Sequence, residues 1–156
     1  MNVDWDPYAE PGHLLRRAQQ AHKILFAEHV SSGLTSPQFA MLAGLYLSPD
    51  IDQITLTRRL AIDRSTVADV ASRLEDRGLI ARGKDEEDGR RNILQLTDAG
   101  KQTFLETLPE IAKVKANILE AFDPGEAEMF MRLLIKFIGA NDSDFKHADG
   151  RYPTDD

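Results

Sequence analysis

Apolar residues recur at helical spacing along most of the chain, and one short stretch breaks the rhythm. Over residues 12–32, Leu14, Ala18, Ala21 and Leu25 form one stripe, widened by Leu15, His22 and Ile24. This predicts a long helix whose apolar arc is too wide for a single packing partner. A second helix is predicted over 35–47. Thr35 and Gln38 make a capping box there, Leu34 can staple onto Phe39, and Pro37 falls in the tolerated first turn. Phe39, Leu42, Ala43 and Tyr46 are its expected buried positions, and Ser48-Pro49-Asp50 ends it. A short helix over 55–61 turns Leu56 and Leu60 inward. The next begins at Asp63, whose carboxylate can accept the orphan N–H groups of a first turn. Val67, Val70, Ala71 and Leu74 then share one face, and Gly78 stands where a helix closes in a left-handed residue.

After Gly78 the pattern changes. Residues 79–82 and 92–96 read as strands, joined by a polar turn over 83–91 that ends in Arg90-Arg91. Ile54 is placed to add a short third strand. A long helix over 97–122 follows, capped by Thr97. It has Gly100 where a glutamate or glutamine would complete a capping box, and Pro109 is expected to kink it. Asp123-Pro124-Gly125-Glu126 restarts the chain as a capping box with proline at the first helical position. Ala127, Phe130, Met131, Leu134, Phe137 and Ile138 then make an apolar face ending at Gly139. Residues 1–11 form either an arm packed on a partner subunit or a frayed terminus, and the polar residues 141–156 a disordered tail.

These elements describe a mainly α chain with a small β-wing, a single domain over 1–156. Residues 35–97 read as a winged helix-turn-helix, and 12–32 and 98–139 as a helical dimerisation region. The helix after Asp63 turns Ser65, Thr66, Asp69 and Arg73 away from its apolar face. Short hydroxyls and an arginine fork suit base edges and phosphates in a major groove, with Arg64 on the backbone. A hairpin ending in Arg90-Arg91 suits the neighbouring minor groove. Asp85-Glu86-Glu87 should point away from the phosphates.

Asp88-Gly89-Arg90 followed by Leu96-Thr97-x-x-Gly100 resembles the wing signature of the MarR family of bacterial transcription regulators. The specificity rises because Leu74-Glu75-Asp76-Arg77-Gly78-Leu79-Ile80 precedes it. The likeness extends from about Gly12 to Gly139. It implies that Arg90 enters the minor groove, that Asp88 orients it, and that terminal helices of two subunits interleave as a homodimer on a pseudo-palindromic operator. Gly12-His13-Leu14-Leu15-Arg16-Arg17 and Ile51-Asp52-Gln53-Ile54-Thr55-Leu56 are similar to a branch that controls breakdown of aromatic or pyridine carboxylic acids. His13, Arg16, Arg17 and Gln20 gather on one helix face, and arginine forks match a carboxylate. With Phe39 and Leu42 as apolar wall, they are the candidate site for a small aromatic carboxylate effector. The alternative for this face is solvated charge with an ordinary salt bridge or two.

Composition narrows the picture. The 156 residues are 42% hydrophobic and include no cysteine, which excludes disulfides and thiolate metal sites. No long apolar run or signal-like opening is present, so no membrane role is expected and the cytoplasm is the default. The formal charge is −7, yet residues 58–91 hold nine basic and eight acidic side chains, so the acidic excess lies elsewhere. His22 and His29 find no carboxylate to complete a metal set, and Glu126 with Glu128 reads as solvated charge. No Gly-rich phosphate loop, nucleophile elbow or zinc motif occurs, so neither enzyme chemistry nor a cofactor is expected. The acidic balance favours one rival, a winged-helix module used only for protein–protein contact. The Arg90-Arg91 tip and the polar helix face argue against it.

Overall fold

A computed structural model describes residues 6–49, 51, 53–84 and 92–142. The described elements are α1 (Pro11–His29), α2 (Ser36–Leu47), α3 (Gln53–Leu60), α4 (Arg64–Asp76), β1 (Ile80–Lys84), β2 (Asn92–Leu96), α5 (Asp98–Leu119) and α6 (Pro124–Asn141). The strands pair antiparallel, with Ile80 opposite Leu96 and Gly83 opposite Ile93. The chain is thus mostly helical, with a small two-stranded sheet among the described residues.

The core draws on residues between Phe26 and Val114. Met41 and Leu42 of α2, Leu56 of α3, and Val67, Ala71 and Leu74 of α4 are completely enclosed, and Ile80 and Leu94 close the cluster from the sheet. The four α4 positions at helical spacing all turn inward, which obliges the polar half of that helix to face outward. Gly44 lets α3 approach α2 closely, because a Cβ there would lie 2.8 Å from the Leu56 side chain. Ala61, in the turn between α3 and α4, takes a left-handed φ of 49°.

The end of α4 explains the Leu-Thr-x-x-Gly pattern in physical terms. Gly78 adopts φ 69°, and the N–H groups of Gly78 and Leu79 reach back to the carbonyls of Glu75 and Leu74. This paired bond closes the helix in the Schellman manner, with Leu79 and Leu74 both buried beside it. Thr97 then caps α5 through Gly100 N–H and donates its hydroxyl to the Gly78 carbonyl at 2.7 Å. Gly100 packs so closely that a Cβ there would stand 1.9 Å from the Leu79 carbonyl oxygen.

Several expectations shift. Ile54 belongs to α3 and is 61% exposed, so it supplies no strand. The helical hydrogen bonding of α3 claims those residues two positions earlier than the apolar spacing suggested. Tyr46 stays exposed, with its ring 4.7 Å from that of Phe104. α1 enters the core through Phe26, with Val30 just beyond its end, while Leu14, Leu15 and Ile24 of the predicted stripe remain exposed. α5 runs unbroken through Pro109 and stops at Leu119, and α6 continues past Gly139 to Asn141. Both capping boxes, at Thr35 and Asp123, form as expected.

Candidate nucleic-acid interface

The outward face of α4 starts at its cap. Asp63 Oδ1 accepts the Thr66 backbone N–H at 2.9 Å and the Ser65 hydroxyl at 2.5 Å, while Oδ2 accepts the Thr66 hydroxyl at 2.5 Å. The Ser65 hydroxyl, then the Thr66 hydroxyl and N–H, hold the Asp63 carboxyl well below the usual carboxylate range. It is therefore ionised at any physiological pH. One turn further on, Arg73 Nε lies 3.0 Å from Asp69 Oδ2, with both side chains exposed. Ser65, Asp69 and Arg73 thus sit together in solvent, with Thr66 half-buried beside them. Arg64 opens α4, but its side chain lies outside the described residues, as do Asp88, Arg90, Arg91 and the acidic run Asp85-Glu86-Glu87.

Other arginines of this region have structural partners. Arg82 Nε meets Glu75 Oε2 at 2.7 Å, which ties the base of the wing to α4. Arg77 donates to the carbonyl of Ser32 at 3.0 Å, linking the end of α4 to the α1–α2 loop. Arg59 donates to Ser48 Oγ at 2.6 Å across the α2–α3 connection. The first two tether α4 to the wing and to the α1–α2 loop. Sequence spacing could not separate such arginines from ones free to meet DNA, because the partners come from other elements.

The candidate ligand residues lie on two elements. His13 is half-buried, with its ring edge-on to Tyr8 at 5.6 Å, and Arg16, Arg17 and Gln20 are exposed on α1. Phe39 is half-buried, 6.3 Å from the Phe26 ring and stacked on Phe104 at 5.4 Å. Leu42 is enclosed in the core cluster. A cleft of about 520 Å³ opens between the end of α2, β2 and the start of α5, lined by Leu45, Tyr46, Pro49, Gln95, Leu96 and Lys101, none of the six candidates. A second groove, about 540 Å³, runs along the first turns of α6 past Phe122, Met129, Phe130 and Leu133. Both are assembled from side chains scattered in sequence or left uncovered on one helix, so no local motif announces them. Among the described residues no group of three or more His, Asp or Glu could hold a metal ion. No described helix is long and apolar enough to cross a membrane.

Comparison with known proteins bears on this arrangement. The MarR family profile matches residues 34–91, from just before α2 to the residue before β2. The transcriptional regulator HosA of Escherichia coli O111:H- is 31% identical over 128 residues, covering 82% of this chain and 94% of HosA. The structure of the PcaV transcriptional regulator from Streptomyces coelicolor in complex with its natural ligand superposes with a TM-score of 0.81 at 40% identity, covering 88% of this chain and 98% of PcaV. BpsR of Bordetella bronchiseptica, whose DNA binding is regulated by 6-hydroxynicotinic acid, superposes with a TM-score of 0.81 at 29% identity, covering 86% and 97%.

Proposed function

This chain belongs to the MarR family of winged helix-turn-helix transcription regulators, and from that premise we propose that it acts as a homodimeric, ligand-responsive repressor. The observation that carries the reading is the outward face of α4. Ser65 and Thr66 are held at its cap by Asp63 and Asp69 pairs with Arg73 further along, while Val67, Val70, Ala71 and Leu74 anchor the helix in the core. Two such helices, one per protomer, would enter successive major grooves about 10 base pairs apart on a pseudo-palindromic operator. Arg64 holds the backbone in this reading, Arg90, oriented by Asp88, enters the minor groove, and Arg91 adds to the basic tip beside it. The chemistry is binding, not catalysis, and a partner in chromosomal DNA puts the protein in the cytoplasm.

The effector would be a small aromatic or pyridine carboxylate. The 6-hydroxynicotinic acid that regulates BpsR supports that class. In this chain the exposed forks of Arg16 and Arg17, with His13 and Gln20, supply the anion-binding face, and Phe39, backed by Leu42, the apolar wall. The ligand acts by binding one spacing of the two readers better than the other, and a few kcal/mol of difference suffices.

Recovery of genomic fragments on the purified protein, then gel shifts at fixed salt, tests the reading. Two-fold-symmetric duplexes should be retained, Arg90→Ala should weaken them at least tenfold with an unchanged fold, and one carboxylate of the class should release them from wild type but not from Arg16→Ala. Retention of no duplex would favour the protein–protein module, which the formal charge of −7 alone supports.

A further inference from the structure

With α4 taken as the helix that meets DNA, the hydrogen bonds at its cap limit which groups it can bind. A hydroxyl carries one proton and two lone pairs, whereas an ionised carboxylate only accepts. Asp63 takes the proton of Ser65 on Oδ1 and that of Thr66 on Oδ2, each across 2.5 Å. Both hydroxyls therefore present only lone pairs to anything that approaches from outside. A phosphate oxygen also only accepts, so neither hydroxyl can bind one without first giving up Asp63. The negative charge of Asp63 beside them opposes phosphate further.

In the major groove the donors available to such a pair are the exocyclic amino groups, N6 of adenine and N4 of cytosine. Guanine O6 and N7 and thymine O4 are acceptors and offer nothing to an oxygen whose proton is committed. We propose that Asp63 makes Ser65 and Thr66 hydrogen-bond acceptors toward DNA, so that the first turn of α4 selects half-sites presenting an adenine or cytosine amino group. Asp63 is then a positioning residue for specificity as well as a helix cap.

Asp63→Asn separates the two roles. Asparagine caps helices about as well as aspartate. The Thr66 backbone N–H fixes the side-chain orientation, because it requires an oxygen at the Oδ1 position. The amide nitrogen then stands where Oδ2 was, donates to Thr66, and turns the Thr66 proton outward. The test uses the full-length protein and the tightest duplex recovered from its genome. Each adenine or cytosine of one half-site is replaced in turn by purine or 2-pyrimidinone, which lack the amino group.

Loss of one amino group should weaken wild-type binding about tenfold. The same replacement should cost nothing further in Ser65→Ala or Thr66→Ala, whichever residue reads it. Asp63→Asn, with unchanged helix content, should shift preference at the Thr66 position from an amino group to a keto group. The inference is overturned if no amino replacement couples to either hydroxyl, or if neutral methylphosphonate replacement of a backbone phosphate couples to them instead. Failure to recover any duplex would remove the DNA-binding reading itself, a separate result.

Discussion

Single residues carry the joints of this molecule. Gly100 lacks the side chain that would complete a capping box, and the reason lies across space. The helix start is pressed against the Leu79 carbonyl, which already accepts the Thr97 N–H at 3.1 Å and cannot retreat. Gly100→Ala should therefore cost about 1–3 kcal/mol in urea unfolding, as an overpacked site does. An unchanged midpoint would mean that α5 can lift off the turn. Asp63 gives a pH prediction. Its pKa is depressed in the folded chain, so its contribution is complete above the ordinary carboxylate value of about 4 and is lost as pH falls from there through the depressed value. Wild type should be more stable than Asp63→Ala at neutral pH, and the gap should close in acid. A gap of equal size at pH 7 and at about pH 2 would show that the carboxylate charge is not what holds the cap. The caps at Thr35, Asp63, Thr97 and Asp123 were all legible in the sequence, because a cap is satisfied within four residues. That Ser65 and Thr66 both return their protons to Asp63 was not, because serine and threonine at such positions serve equally well facing outward.

At the scale of elements, α5 joins the reader to the rest of the chain. Its first half reaches the core through Phe104, and Glu110 accepts both the N–H and the hydroxyl of Ser31 at the end of α1. Buried Thr107 donates to the Thr103 carbonyl at 2.7 Å and lies 3.5 Å from Ser32 Oγ. Pro109 sits between these ties and deprives the Leu105 carbonyl of its usual donor. Pro109→Ala should restore that bond and raise stability, by up to about 3 kcal/mol. A lower melting temperature would instead mean that the proline's shape is needed by whatever packs on α5. Periodicity predicted every helix of the described residues. It erred at their ends and at Ile54, where a short apolar run between a helix and a turn is ambiguous between strand and helix until hydrogen bonding decides. The wing signature lies partly outside the described residues, so Asp88, Arg90 and Arg91 stand on sequence alone.

For the whole molecule, the uneven distribution of apolar surface is the telling feature. α6 buries none of its residues fully, and Leu133 is 53% and Phe137 49% exposed. Leu14, Leu15 and Ile24 of α1 and Leu105 and Leu108 of α5 are exposed as well. Helices with this much uncovered apolar surface are stable in water when another surface covers them, which supports the proposed dimer of terminal helices. A Leu133→Asp, Phe137→Asp double variant should sediment as a monomer and lose operator binding, while retaining the helix content of α2 to α4. A variant that stays dimeric would move the interface elsewhere.

Local rules alone determined the number and order of helices, their caps, the two wing strands and the polar face of α4. Each depends on residues within a few positions of one another. The sequence also marked the terminal helices as too apolar to stand alone. Only the tertiary structure decided that Leu42 is enclosed while Tyr46 is not, that Arg59, Arg77 and Arg82 are spent on structural partners, and that Gly100 is required by Leu79. Those outcomes depend on which distant segments meet, and a one-dimensional pattern carries the wish for a partner but not its identity.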